Sequence, residues 1–128
     1  MKKDFKKWHE KKSGLHDEKQ RPFFREGEVW FCALGANVGF EQDGNGVDYL
    51  RPVAIVRKFN KEIFWAVPLT RSHKQGVFYF GFKLDDQTST AILSQIRLVD
   101  AKRLFYRLGI MRPADLEETK KRLKALLP

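Results

Sequence analysis

The sequence predicts a mainly β domain, a small barrel or sandwich with a C-terminal helix, preceded by a basic helical arm. Three observations carry that expectation. Short aromatic and β-branched runs recur between turn signals from residue 26 onward, as in small all-β folds. The stretch RPADLEETKKRLKALL (112–127) has the periodicity of an amphipathic helix. Residues 1–21 show no strand pattern and hold eight basic and four acidic side chains. The chain therefore divides into a basic arm, 1–21, and one domain, 22–128.

In the arm, Phe5, Trp8, Lys12 and Leu15 fall on one helical face, and Ser13-Gly14 frays or ends that helix. An exposed Phe and Trp are costly in water, so the arm is expected to dock. EVWFCALG (28–35) is the first strand, closed by Gly35. ANVGFEQDGNGVDYL then reads as a long loop, rich in Gly, Asn and Asp. PVAIVRKF (52–59) is apolar almost without interruption and is expected in the middle of a sheet, with Pro52 allowed at its first position. Asn60-Lys61 makes a tight connection to EIFWAVPLT (62–70). RSHKQG is a polar loop before VFYFGFKL (77–84), and residues 85–89 turn the chain into TAILSQIRLVD (90–100). DAKRLFYRLGI suggests a helical turn and then a short strand. In the last helix Pro113 suits the first turn and acids precede bases, as the helix dipole favours. Its packing face is expected to be Leu116, Thr119, Leu123 and Leu127.

The 128 residues are 42% hydrophobic, enough for one core. Eleven Phe and three Trp supply large apolar area to a thin interior; Trp65, Phe78 and Phe80 are expected in that core or in a dimer interface. A single cysteine, Cys32, excludes an internal disulfide framework and fits a reducing compartment. The basic N-terminus has no apolar segment of a secretory signal, and no run is long enough to cross a membrane, so a cytoplasmic location is expected. Net charge is +9, of which about +5 lies outside the arm. Such an excess attracts phosphate polyanions or an acidic protein partner.

Several chemistries are excluded by spacing. His9, His16, His73 and Cys32 show no zinc-ligand arrangement, so no metal or other cofactor is expected. No phosphate-binding Gly-rich motif links a strand to a helix, and no serine sits in a nucleophile elbow. What remains is a basic, aromatic β domain with polar residues at strand ends.

Five segments, in order, carry a more specific signal: GEVWFCALG, NVGFEQDG, RPVAIV, AVPLT and AILSQIRLVDAKRL. Together they resemble the MazF/PemK/Kid toxin pattern over residues 27–127. That resemblance implies an SH3-like barrel with a terminal helix, a homodimer, and inhibition by a separately encoded antitoxin. It also implies metal-independent cleavage of single-stranded RNA, mRNA included, by an endoribonuclease that blocks translation and growth. Arg51 matches the family's catalytic arginine, and the physics agrees: a guanidinium offers fixed charged donors to a phosphoryl group gaining charge. It is a poor general base, because its pKa is too high. Thr70 matches the threonine of the P-x-T step and is suited to bonding the scissile phosphate. Glu41 and Gln42 match the E-Q pair; Glu41 is placed either to accept the 2′-hydroxyl proton or to pin its loop. Gln95 matches a structural or substrate-positioning glutamine. Ser94 stands where the Kid branch has a catalytic Asp, and the 45–50 stretch is longer than usual. His73, close behind Thr70, carries an imidazole and is a candidate acid for the leaving oxygen. Phe40, Tyr49, Arg71 and Lys74 are loop residues suited to holding single-stranded RNA by stacking and charge.

Two other readings fit the same barrel. One is a non-catalytic poison of the CcdB type that binds gyrase, which has no need of the R-P and P-x-T pair. The other is a barrel that binds RNA without cutting it.

Overall fold

A computed structural model of the protein describes residues 20–34 and 50–128. The arm residues Phe5, Trp8, Lys12 and Leu15 lie outside the described residues, as do Phe40, Glu41, Gln42 and Tyr49. The apolar runs form β1 (Glu28–Ala33), β2 (Leu50–Lys58), β3 (Ile63–Thr70), β4 (Tyr79–Leu84), β5 (Gln87–Ile92), β6 (Arg97–Asp100) and β7 (Leu104–Ile110), followed by α1 (Pro113–Ala125). Every pairing is antiparallel; the order is β4-β5-β3-β2-β1-β7, with β6 also on β3. The sheet curls without a closing ladder, and its two ends meet through side chains. A Cβ on Gly109 of β7 would lie 3.2 Å from Leu84 Cδ1 at the end of β4. The fold is thus mainly β and barrel-like with a C-terminal helix, as the sequence predicts.

The central strands are apolar on both faces because both faces are covered. Trp30, Cys32, Val53, Ile55, Phe64 and Ala66 fill one layer. Val29, Ala54, Val56, Val67 and Leu69 fill the other, under the β4–β5 hairpin and α1. A strand covered on both sides reads as a continuous run rather than an alternation. The first layer is closed by Phe24, whose ring lies 4.9 Å from that of Phe64. Glu26 joins the layers: its carboxylate accepts from the Lys58 N–H at 2.8 Å and from Lys120 Nζ of α1 at 2.9 Å. Arg21, last residue of the expected arm, forks onto Asp100 of β6 at 3.0 and 3.1 Å.

Some boundaries differ from expectation. The 90–100 run is not one strand: β5 starts earlier, at Gln87, and a 3₁₀ turn at Leu93–Gln95 separates it from β6. The cause is tertiary, since Leu93 is fully buried and its N–H donates to Phe78 O at 2.8 Å. The expected helical turn before β7 is the 3₁₀ turn Ala101–Arg103. On α1, Leu116, Leu123 and Leu126 pack on the second core layer and Thr119 is buried. Leu127 does not join them; the helix ends at Ala125, and Leu127 is 72% exposed. Phe80 packs against the core, whereas Trp65 and Phe78 are 43% and 50% exposed. Both border a groove of about 940 Å³ between the sheet and α1. Their neighbours Phe64 and Leu93 have the interior places instead.

Candidate active site

Arg51 is the second residue of β2, opposite Cys32 of β1. Its place in the sheet follows from register. Val53 faces Pro68 across β2 and β3, which brings Arg51, two residues earlier, level with Thr70 at the end of β3. Arg51 as a whole is only 7% exposed, and its Nη2 donates to Leu69 O at 2.8 Å. Burial pushes its pKa down from the ordinary value. A guanidinium is so basic that it stays charged regardless, so Arg51 is a cation already stripped of much of its water.

Thr70 pairs with Thr90 of β5, and its Oγ1 accepts from the Ser72 N–H at 3.2 Å. That bond holds the oxygen and leaves its proton for a ligand. Cys32, beside Arg51 on β1, is no nucleophile; burial pushes its thiol up to about 12.

Arg51, Thr70 and Arg71 open together into a cleft of about 800 Å³. Asp85, Asp86, Gln87 and Ser89 of the β4–β5 hairpin line the same cleft, as do Phe31, Leu84 and Leu108. The other sequence-predicted residues divide. Phe40, Glu41, Gln42 and Tyr49 are outside the described residues, in the 35–49 segment that enters β2 directly before Arg51. His73 and Lys74 sit on the exposed loop after β3 and do not line the cleft; His73 Nε2 meets Gln75 Nε2 at 3.4 Å. Gln95 lies on the 3₁₀ turn after β5, also off the cleft, and its neighbour Ser94 borders the α1 groove. Among the described residues no group of three or more His, Cys, Asp or Glu is placed to hold a metal.

Sequence reasoning missed Phe31, which reads as a core residue of β1, and the Asp85-Asp86 pair, which reads only as a turn. The doubled acid at a hairpin tip was the one available signal.

Residues 25–127 match the family model described as PemK-like, MazF-like toxin of type II toxin-antitoxin system. The chain belongs to this toxin family. Among solved structures, the toxin is similar to an endoribonuclease in complex with its cognate antitoxin from a mycobacterial species. The two share 21% identity over 84% of this chain and 97% of that one, with a TM-score of 0.63. It is also similar to MazF from Deinococcus radiodurans, at 18% identity over 84% and 96% of the two chains and a TM-score of 0.63. The MazE–MazF complex from the same organism gives 15% identity, 84% and 95% coverage and a TM-score of 0.57. At these identities the likeness is one of fold. No curated protein sequence matches the toxin.

Proposed function

We propose that the toxin is a metal-independent endoribonuclease that cuts single-stranded RNA, including mRNA, and so arrests translation and growth. The observation that carries this reading is a buried guanidinium, Arg51, opening beside the Thr70 hydroxyl into a cleft large enough for a nucleotide. In the proposed step a ribose 2′-oxygen attacks the adjacent phosphorus. The bond from phosphorus to the 5′-oxygen breaks, leaving a 2′,3′-cyclic phosphate and a 5′-hydroxyl. Charge grows on the phosphoryl oxygens, where Arg51 donates and Thr70 adds a second donor. Glu41 accepts the 2′-hydroxyl proton, and the leaving 5′-oxygen takes its proton from solvent water. Phe40, Gln42, Tyr49 and Arg71 hold the flanking nucleotides by stacking, hydrogen bonding and charge. His73, Lys74 and Gln95, off the cleft in this chain, contact RNA only further along the strand.

The cellular partners are a cognate antitoxin and a second copy of the toxin, in the cytoplasm. The half-exposed Trp65 and Phe78, with Leu98 55% exposed, form the apolar face that suits the second copy.

The test is end-mapping on a long RNA in the presence of EDTA. Wild type should produce new 5′-hydroxyl ends, and Arg51→Ala should cut at least about 10²–10³-fold more slowly while remaining folded. A folded Arg51→Ala that cuts normally removes the site. Intact RNA with relaxed plasmid accumulating in a gyrase assay replaces the nuclease by a gyrase poison.

A further inference from the structure

We propose that the part of the cleft lined by Phe31 and the β4–β5 hairpin is a nucleobase pocket, with Phe31 as its stacking surface and the Asp85-Asp86 turn reading guanine. The inference rests on the ribonuclease reading of the same cleft. Phe31 lines the cleft, and its ring lies 5.3 Å, centroid to centroid, from that of the exposed Tyr106 of β7. Leu84 and Leu108 add apolar contact. Leu84, beside the turn, packs closely on Gly109 of β7, where an added Cβ would lie 3.2 Å from Leu84 Cδ1.

The cleft is lined by charges of both signs. Arg51 and Arg71 attract phosphate; Asp85 and Asp86 repel it. A nucleotide therefore enters with its backbone on the arginine side and its base toward the hairpin. An ionised carboxylate only accepts hydrogen bonds. Guanine's pairing edge offers two adjacent donors, N1–H and the N2 amino group, which match two carboxylate oxygens. Adenine and cytosine offer one donor beside an acceptor, and uracil one donor between two acceptors. Guanine is the base that an acidic wall selects.

Leu84 pairs with Gln87, so Asp85 and Asp86 are the whole loop, and Asp85 has φ 55°, a left-handed conformation that Asp tolerates and glycine adopts more cheaply.

Cleavage sites in a random-sequence RNA, compared between wild type and the Asp85→Asn/Asp86→Asn double variant, test the pocket. Wild type should cut beside guanine, and the double variant should lower the guanine-to-adenine ratio about tenfold. Asp85→Gly should also lower that ratio, while raising Tm by about 2–6 °C through relief of the strained φ. A wild type without guanine preference, a ratio unchanged in both variants, or an equal loss at every site would overturn the proposal. Binding separates it from the ribonuclease reading. In the Arg51→Ala background, anisotropy of a labelled uridine hexamer carrying one guanine or one adenine should favour guanine, and lose that preference with both Asp residues replaced. Guanine preference in binding with no cutting by wild type would sink the nuclease alone; equal binding of the two hexamers would sink the pocket.

Discussion

Glu28 is the acid of the G-E-V-W segment, and the residue is only 4% exposed. Oε1 accepts from Trp30 Nε1 at 2.9 Å and from the Arg25 N–H at 3.0 Å, while Oε2 accepts from Arg107 Nη1 at 3.2 Å. The two oxygens do different work. Trp30 is 8% exposed and has no water to turn to, whereas the Arg107 side chain is 57% exposed and can swing into solvent. Glu28→Ala strands the indole N–H at about 1–3 kcal/mol, and the lost bonds to a charged acceptor and the small void bring the total to about 3–4 kcal/mol. Glu28→Gln keeps a carbonyl oxygen for Trp30 and Arg25 and turns its amide toward Arg107, which moves away; the cost is about 1 kcal/mol or less. Urea unfolding at neutral pH reads both numbers, with equal m-values confirming that the native states are comparable. Equal losses for Gln and Ala would show that charge, not hydrogen-bond acceptance, holds this corner. A loss under 1 kcal/mol for Ala would refute the account entirely.

Other outcomes follow from single contacts. Gly27 has φ 90°, its N–H donates to Ile55 O, its carbonyl accepts from Met111, and an added Cβ would meet Leu116 Cδ2 at 3.3 Å. Gly27→Ala should cost about 1–2 kcal/mol, read as a lower urea midpoint; no change would mean the turn relaxes freely. Burial alone would raise the pKa of Asp100, but the bonds from Arg21 and the Lys102 N–H, with the charges of both residues, outweigh it and hold the carboxyl below its usual range. A depressed carboxyl stabilises above its unfolded pKa, near 4, and loses that contribution as pH falls through the folded value. Arg21→Ala should therefore be less stable than wild type at pH 7, and the gap should narrow as pH falls below about 4 and the folded carboxyl takes its proton; a gap constant with pH contradicts the ion pair. Arg51→Lys should fold and still lose about 10²-fold or more in cleavage rate, because an ammonium has no fork to span Leu69 O and a phosphate. Near-wild-type rates would reduce Arg51 to a point charge.

Where structure was legible in the sequence, local chemistry decided it. The continuous run at 52–59 announces a strand covered on both faces, and Pro113 with Asp115 announces the start of α1. The break at Leu93–Gln95 carries no Gly or Pro; it exists because Leu93 is drawn into a core made by distant strands. Trp65 and Phe78 show the same limit, since aromatic character says nothing about which of two neighbouring rings faces inward. Arg51 and Thr70 were legible as a motif because each ends or begins a strand that pairs with the other. The place of Asp85 and Asp86 in the same cleft was not, because it depends on how the β4–β5 hairpin packs against Gly109, a contact between strands far apart in sequence.

The burial of Arg51 explains why the site belongs at a strand terminus rather than on a loop. A surface arginine reaching for phosphate must shed water and fix several rotatable bonds at the moment of binding. Here β1 and β3 flank the Arg51 backbone, and the Leu69 carbonyl holds one amino group. The depressed pKa is the mark of that lost hydration, so the cost is carried by the folded protein before any ligand arrives. In the proposed cleavage, charge developing on a phosphoryl group meets a donor that needs no reorganisation, where preorganised electrostatics is most effective.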